Sequence, residues 1–242
     1  MARSFQLVDQ KVAEADFFLG KLLDCGFNLF EFRCYLSAFA ASARSITFSL
    51  QSVLRDETEF NTWYETYQVE FKKDKLAKFF NDFRRITQHV GEDSYGGGGM
   101  SSDGKARHFF MPTKDLPNVP EGEIGTACMD YLKQIIQLIY DCYLKFGPSI
   151  DAHQYFTEEN FRKSNRTIED AEEELGFPCG WTDVSDPDST PYRWQALRDT
   201  VTGCEINHIF KKHLNKEAPC TERLPEYVDK REYKNKNGWL TI

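Results

Sequence analysis

The sequence predicts a mainly α protein: an up-and-down bundle of four to five helices with a C-terminal helical extension. Three observations predict it. Phe32, Leu36, Phe39, Ala43, Ile46, Leu50 and Val53 recur at alternating steps of four and three, the period of a long helix with one buried side. Leu76, Phe79, Phe80, Phe83, Ile86 and Val90 repeat that spacing, as do Ile124, Cys128, Tyr131, Ile135, Leu138, Cys142 and Phe146. A seam as long as the first needs long partners, so antiparallel packing is expected.

The elements follow in order. Residues from about 5 to 24 read as a first helix, with Phe17, Phe18, Leu22 and Leu23 as its apolar face and Gly26 as a C-cap candidate. Asn28 can cap the second helix, and Ala38, Ala40, Ala41 and Ala43 let a neighbour approach closely. Asp56 with Glu59 resembles a capping box for a third helical region striped by Phe60, Trp63, Tyr67 and Phe71. Lys72-Lys73-Asp74 can bend it, with Asp74 capping a continuation whose polar face carries Lys75, Lys78, Asp82, Arg85 and His89.

The pattern stops at Gly91, and residues 91–104, with Gly96-Gly97-Gly98-Gly99, read as a mobile linker able to act as a lid. Without a preceding strand or a G-K-[ST] ending it is not a phosphate loop. A short extended piece is expected at Arg107–Met111, then an irregular stretch set by Pro112, Pro117 and Pro120. The fourth long helix spans about 123–146 and ends at Gly147-Pro148. The chain thus divides into a bundle over residues 1–150 and a smaller unit over 151–242. In the latter, Thr157 and Thr167 with Asp170 start short helices, Gly176 ends one, and Thr190-Pro191 opens a helix through about 214.

Composition bounds the function. No stretch approaches the roughly 18 apolar residues of a membrane span, and Met1–Gln6 lacks the features of a signal peptide, so a cytoplasmic protein with no membrane partner is expected. The seven cysteines are odd in number and lack a C-x-x-C, as reduced thiols would be. A net charge of −8 disfavours broad binding to a phosphate backbone but leaves room for a small basic site.

Chemistry concentrates at Arg84-Arg85-Ile86-Thr87-Gln88-His89. Arg84 and His89 form an R-x4-H pair at a helix end, about 140° apart around the axis, while Arg85 and His89 share a face. A two-fold dimer could bring two copies into one cleft. There His89 could take the proton of an RNA 2′-hydroxyl, and Arg84 could stabilise the charge on phosphorus. Arg85 could contact phosphate, the upstream Lys72, Lys73, Lys75 and Lys78 could guide a phosphate strand, and no metal or other cofactor is required. The plainer reading is that Arg and His near a helix C-terminus answer the helix dipole and the lysines are a solvated face. Cys204 and His208, four apart on the expected helix, have a spacing that can share a metal ion, but the spacings to His213 and Cys220 fit no zinc pattern and no metal is assigned. Glu172-Glu173-Glu174 reads as a solvated helix face.

The segments Phe32–Phe39 and Ala43–Phe48, and the run from Trp63-Tyr64 through Phe79–Arg85 to His89-Val90-Gly91, resemble a bacterial group of HEPN-like proteins over roughly residues 10–147. The resemblance implies a four- or five-helix bundle, a homodimer, and a metal-independent endoribonuclease with Arg84 and His89 at the dimer cleft. It further implies a toxin or phage-defence effector acting with an antitoxin or defence-system partner. Arg85 departs from the Asn, Asp or His usual there, which also admits an inactive dimeric scaffold that binds a protein partner or a small ligand. A sensor of nucleotides or other small molecules is the third possibility.

Overall fold

Each apolar seam in the sequence becomes a helix, and the protein is mainly α. The computed structural model describes residues 5–89, 94–102, 104–219, 223–228, 233–235 and 238–240. Contacts divide the chain into two units: residues 3–146 with 204–218, and residues 147–203 with 1–2 and 219–242. The sequence reading sets one boundary near 150; the contacts set it after Phe146 and return 204–218 to the first unit. Val90, Gly91 and Cys220 lie outside the described residues.

In the first unit α1 (Gln6–Asp24) and α2 (Leu29–Leu54) form a helical hairpin. Gly26 takes φ +59° in the turn, a backbone position that favours glycine. Asn28 Oδ1 accepts from Glu31 N at 3.2 Å, capping α2. The buried face of α1 is Val8, Val12, Ala15, Leu19 and Leu22, not the face expected. Leu22 is common to both, but Phe17 is 56% exposed and Leu23 48%. A seam alternating in steps of four and three covers more of α2 than a pair of adjacent rings. The α2 seam is buried from Phe32 to Leu50 and ends on Leu54 in place of Val53.

The third region is two helices, α3 (Phe60–Lys73) and α4 (Lys75–His89). The capping box expected at Asp56–Glu59 does not form. Glu59 sits in the left-handed region at φ +65° and makes no cap bond; its carboxylate pairs with Lys145 at 3.0 Å. Asp74 does cap α4, accepting from Ala77 N at 2.7 Å. The fourth long helix, α5 (Ile124–Ile150), runs through Gly147-Pro148 rather than ending there. Pro148 and Leu144 are both exposed, so the carbonyl that loses its proline partner can turn to water. Phe80 of α4 ties the bundle together. It stacks on Tyr131 of α5 with centroids 4.5 Å apart and meets Phe39 of α2 edge-on at 5.9 Å.

The glycine run is a strand, not a linker. β1 (Tyr95–Met100) pairs antiparallel with β2 (Ala106–Phe110), with an irregularity between Tyr95 and Gly97. A Cβ on Gly96 would lie 2.5 Å from Met111 Cβ, and one on Gly98 would lie 2.9 Å from the Arg107 carbonyl. The glycines permit a close approach that no larger residue allows. His108 of β2 fixes the hairpin to the α1–α2 turn: its Nε2 donates to the Gly26 carbonyl at 2.8 Å.

In the second unit Thr157 caps α7 (Glu158–Lys163), which follows the single turn α6 (Ala152–Tyr155). Thr167 and Asp170 form a capping box on α8 (Ile168–Glu174), and Gly176 follows with φ +85°. A 3₁₀ turn at Pro187–Ser189 leads into α9 (Thr190–Asp199). The core is Phe156, Phe161, Ile168, Ala171, Trp194 and Leu197. Glu172, expected on a solvated face, is fully buried. It accepts from Gly180 N, Thr182 N and Thr182 Oγ1, and pairs with Arg193 at 3.3 Å. Burial alone would raise its carboxyl, but these bonds hold it below the usual range. β3 (Tyr233–Asn235) pairs antiparallel with β4 (Gly238–Leu240).

The helix expected through 214 is broken. After α9 ends at Asp199, the chain is irregular until α10 (Asn207–Leu214), which belongs to the first unit. Phe210 packs edge-on against Tyr140 and Tyr143 of α5 at 5.4 and 5.6 Å. Burying that ring against α5 outweighs the continuity of one long helix. No helix among the described residues is long and apolar enough to cross a membrane.

Candidate functional site

α4 presents two polar regions, one at each end. At its C-terminal end, Arg84 is half-buried, and its Nε is buried with no hydrogen-bond partner. His89 is exposed in the last turn, where the helix dipole favours a cation. The helix holds the two about 140° apart, so α4 alone does not direct them at one reacting atom. Arg85 is exposed and lies 3.7 Å from Asp82, one turn earlier. Lys75 and Lys78 are exposed near the start of the same helix.

The N-terminal half of α4 borders a concave site. There α2, α3, α4 and α5 surround a cleft of about 450 Å³, within the size range of small-molecule sites. Arg44, Lys72 and Lys78 bring a cation from each of three helices, and none of the lining residues is acidic. The apolar lining includes Phe71, Tyr131 and Ile135. The polar lining includes Gln51, Tyr64, Gln68 and Asn81.

Arg44 is held in place by its neighbours. Its Nη1 donates to Thr47 Oγ1 at 2.9 Å, and its guanidinium lies 4.4 Å from the centre of the Phe48 ring. The remaining guanidinium donors keep a fixed planar fork, the geometry that suits carboxylate or phosphate. Gln51 Nε2 donates to the Thr47 carbonyl at 2.9 Å and to Tyr64 Oη at 3.4 Å. Burial pushes the Tyr131 hydroxyl up to about 12, against the pull of Arg44. Tyr64 is also raised by burial, and Arg44 again pulls the other way.

Of the residues singled out from sequence as phosphate contacts, Lys72 and Lys78 line this cleft. Arg84, Arg85, His89 and Lys75 do not. Arg44, Gln51, Gln68, Tyr131 and Asn81 were missed as site residues. One signal was present: Arg44, Thr47 and Gln51 recur at steps of three and four beside the apolar seam of α2, a polar line on the flank of a buried helix.

A larger cleft, about 700 Å³, lies between the α1–α2 turn and the hairpin. Asp24, Glu123, Lys105 and Arg107 all line it, so its formal charge is balanced. The Cys204 and His208 pair is not on one helix, because Cys204 precedes α10. His213 instead donates to Asp16 Oδ1 at 2.6 Å, beside Lys212 at 2.8 Å. Burial would raise Asp16, but these two partners hold its carboxyl below the usual range. Among the described residues no cluster of three or more His, Cys, Asp or Glu could hold a metal ion.

Neither a curated protein nor a solved structure matches the chain. One family model does, and it corrects the HEPN resemblance read from Phe32–Phe48 and Trp63–Gly91. Arginine and histidine spaced on an alanine-rich helical bundle are too common a pattern to separate one helical family from another. Residues 4–93, less than half of the chain, match the family described as bacteriophage lambda protein ea47, not a HEPN family.

Proposed function

We propose that the first unit is a binding module for a small anionic molecule, held in the cleft between α2, α3, α4 and α5. One observation carries this reading. The chain has a net charge of −8, yet Arg44, Lys72 and Lys78 converge on a cleft with no acidic lining. Like charges brought together without carboxylate partners repel, and a bound anion relieves that repulsion. The aromatic and aliphatic lining lowers the dielectric around half-buried Arg44 and strengthens the charge-assisted hydrogen bonds it can make.

Calorimetric titration with pyrophosphate tests this. Binding should weaken as salt rises. Arg44→Ala should weaken it by about 10- to 100-fold, the equivalent of one hydrogen bond to a charged group. Lys78→Glu changes an exposed side chain, so it should weaken binding without unfolding the protein. Affinity unchanged in both variants would sink the proposal.

A second reading, metal-independent RNA cleavage by Arg84 and His89, is favoured by one observation. Lys75, Lys78, Arg85 and His89 are all exposed along α4, a track that a phosphate strand could follow. Total RNA incubated in EDTA should then be cut to 2′,3′-cyclic phosphate ends by the parent and not by Arg84→Ala or His89→Ala. Intact RNA with all three proteins would count against it.

A further inference from the structure

The cleft holds more than an inorganic anion requires. Beside its three cations stand the carboxamides of Gln51, Gln68 and Asn81 and the phenols of Tyr64 and Tyr131. A carboxamide offers a donor and an acceptor side by side, the complement of the edge of a nucleobase. Gln51 spends its amide hydrogens on Thr47 and Tyr64, which leaves its carbonyl oxygen turned to acceptance. Phe71 and Phe48 add ring faces of the kind on which bases stack.

These groups are also sorted by depth. Tyr64 and Tyr131 are buried and Gln51 and Gln68 half-buried, while Asn81, Lys72 and Lys78 are exposed. Building on the anion-binding reading, we infer that the ligand is a nucleotide, its base directed toward Gln51 and Gln68 and its phosphates toward Lys72 and Lys78. Arg44, half-buried and set over the Phe48 ring, adds a third cation for the phosphates. Such an orientation uses the dry end of the cleft for the planar, weakly hydrated group and the wet end for the charged one.

The test compares probes that share the anion but not the base. Pyrophosphate, ribose 5-phosphate and the monophosphates and diphosphates of adenosine, guanosine, cytidine and uridine are titrated into the protein by calorimetry. At least one nucleotide should bind about tenfold or more tightly than pyrophosphate and ribose 5-phosphate, the scale of a base edge correctly paired. Gln68→Ala should reduce that preference, lowering nucleotide affinity by a larger factor than pyrophosphate affinity, whereas Lys78→Glu should weaken every probe by a similar factor. Equal affinity for pyrophosphate, ribose 5-phosphate and all nucleotides would overturn the nucleotide assignment and keep the anion site. No binding by any probe would overturn both.

Discussion

The two ends of α4 carry similar residue types in different settings. The C-terminal end has Arg84, Arg85 and His89, a motif visible as a short run of sequence. Yet its arginine Nε is buried without a partner, its second arginine leans toward Asp82, and its histidine stands exposed. The N-terminal half offers only Ala77, Lys78 and Asn81, but three other helices meet it and complete a concave site. A ligand is held by groups that converge from several elements. Spacing along one helix sets which residues share a face; it does not supply the opposite wall.

The largest effect that bears on this contrast is structural. Phe80 anchors α4 to α5 and α2 and is almost wholly buried. Phe80→Ala should cost about 3–5 kcal/mol in urea denaturation and should disturb the cleft, since Tyr131 loses the ring it stacks on. A loss under 1 kcal/mol would mean that α4 is not held as described.

A smaller effect concerns the cleft floor. Tyr131 has its hydroxyl raised to about 12 by burial, against about 10 in an unfolded chain. Below pH 10 the group is neutral in both states and contributes no pH dependence. As pH rises from 10 toward 12 the unfolded chain ionises first, so stability is lost across that window, on the order of 2–3 kcal/mol. Tyr131→Phe should lose less stability over the same range. An identical alkaline slope in both proteins would show that Tyr131 is not confined.

The smallest effect is expected at the other end of the helix. His89→Ala and Arg85→Ala should leave nucleotide affinity within about twofold, because both are exposed and neither lines the cleft. A tenfold loss in either would move the binding site to the end of α4.

Much of the fold was legible because it rests on periodicity. The seams of α2, α4 and α5, the Asn28 and Asp74 caps and the Thr167–Asp170 capping box could each be read from spacing. What escaped depended on partners distant in sequence. Four glycines read as a linker because nothing local reveals β2 across the turn. Glu172 read as solvated because its partners Gly180, Thr182 and Arg193 come from later elements. The 190–214 helix broke because Phe210 packs on α5. The cleft escaped for the same reason: Arg44, Gln68, Lys78 and Tyr131 come from four helices and form no motif in the linear order.

Side-chain amide signals offer the most direct comparison of the two ends of α4. Asparagine and glutamine NH2 resonances should be followed by NMR while a nucleotide is titrated into the protein. Shifts concentrated at Gln51, Gln68 and Asn81, with Gln88 in the last turn of α4 unmoved, are expected if the cleft is the binding site. Shifts at Gln88 and the His89 ring, with Gln51 and Gln68 unmoved, would contradict it.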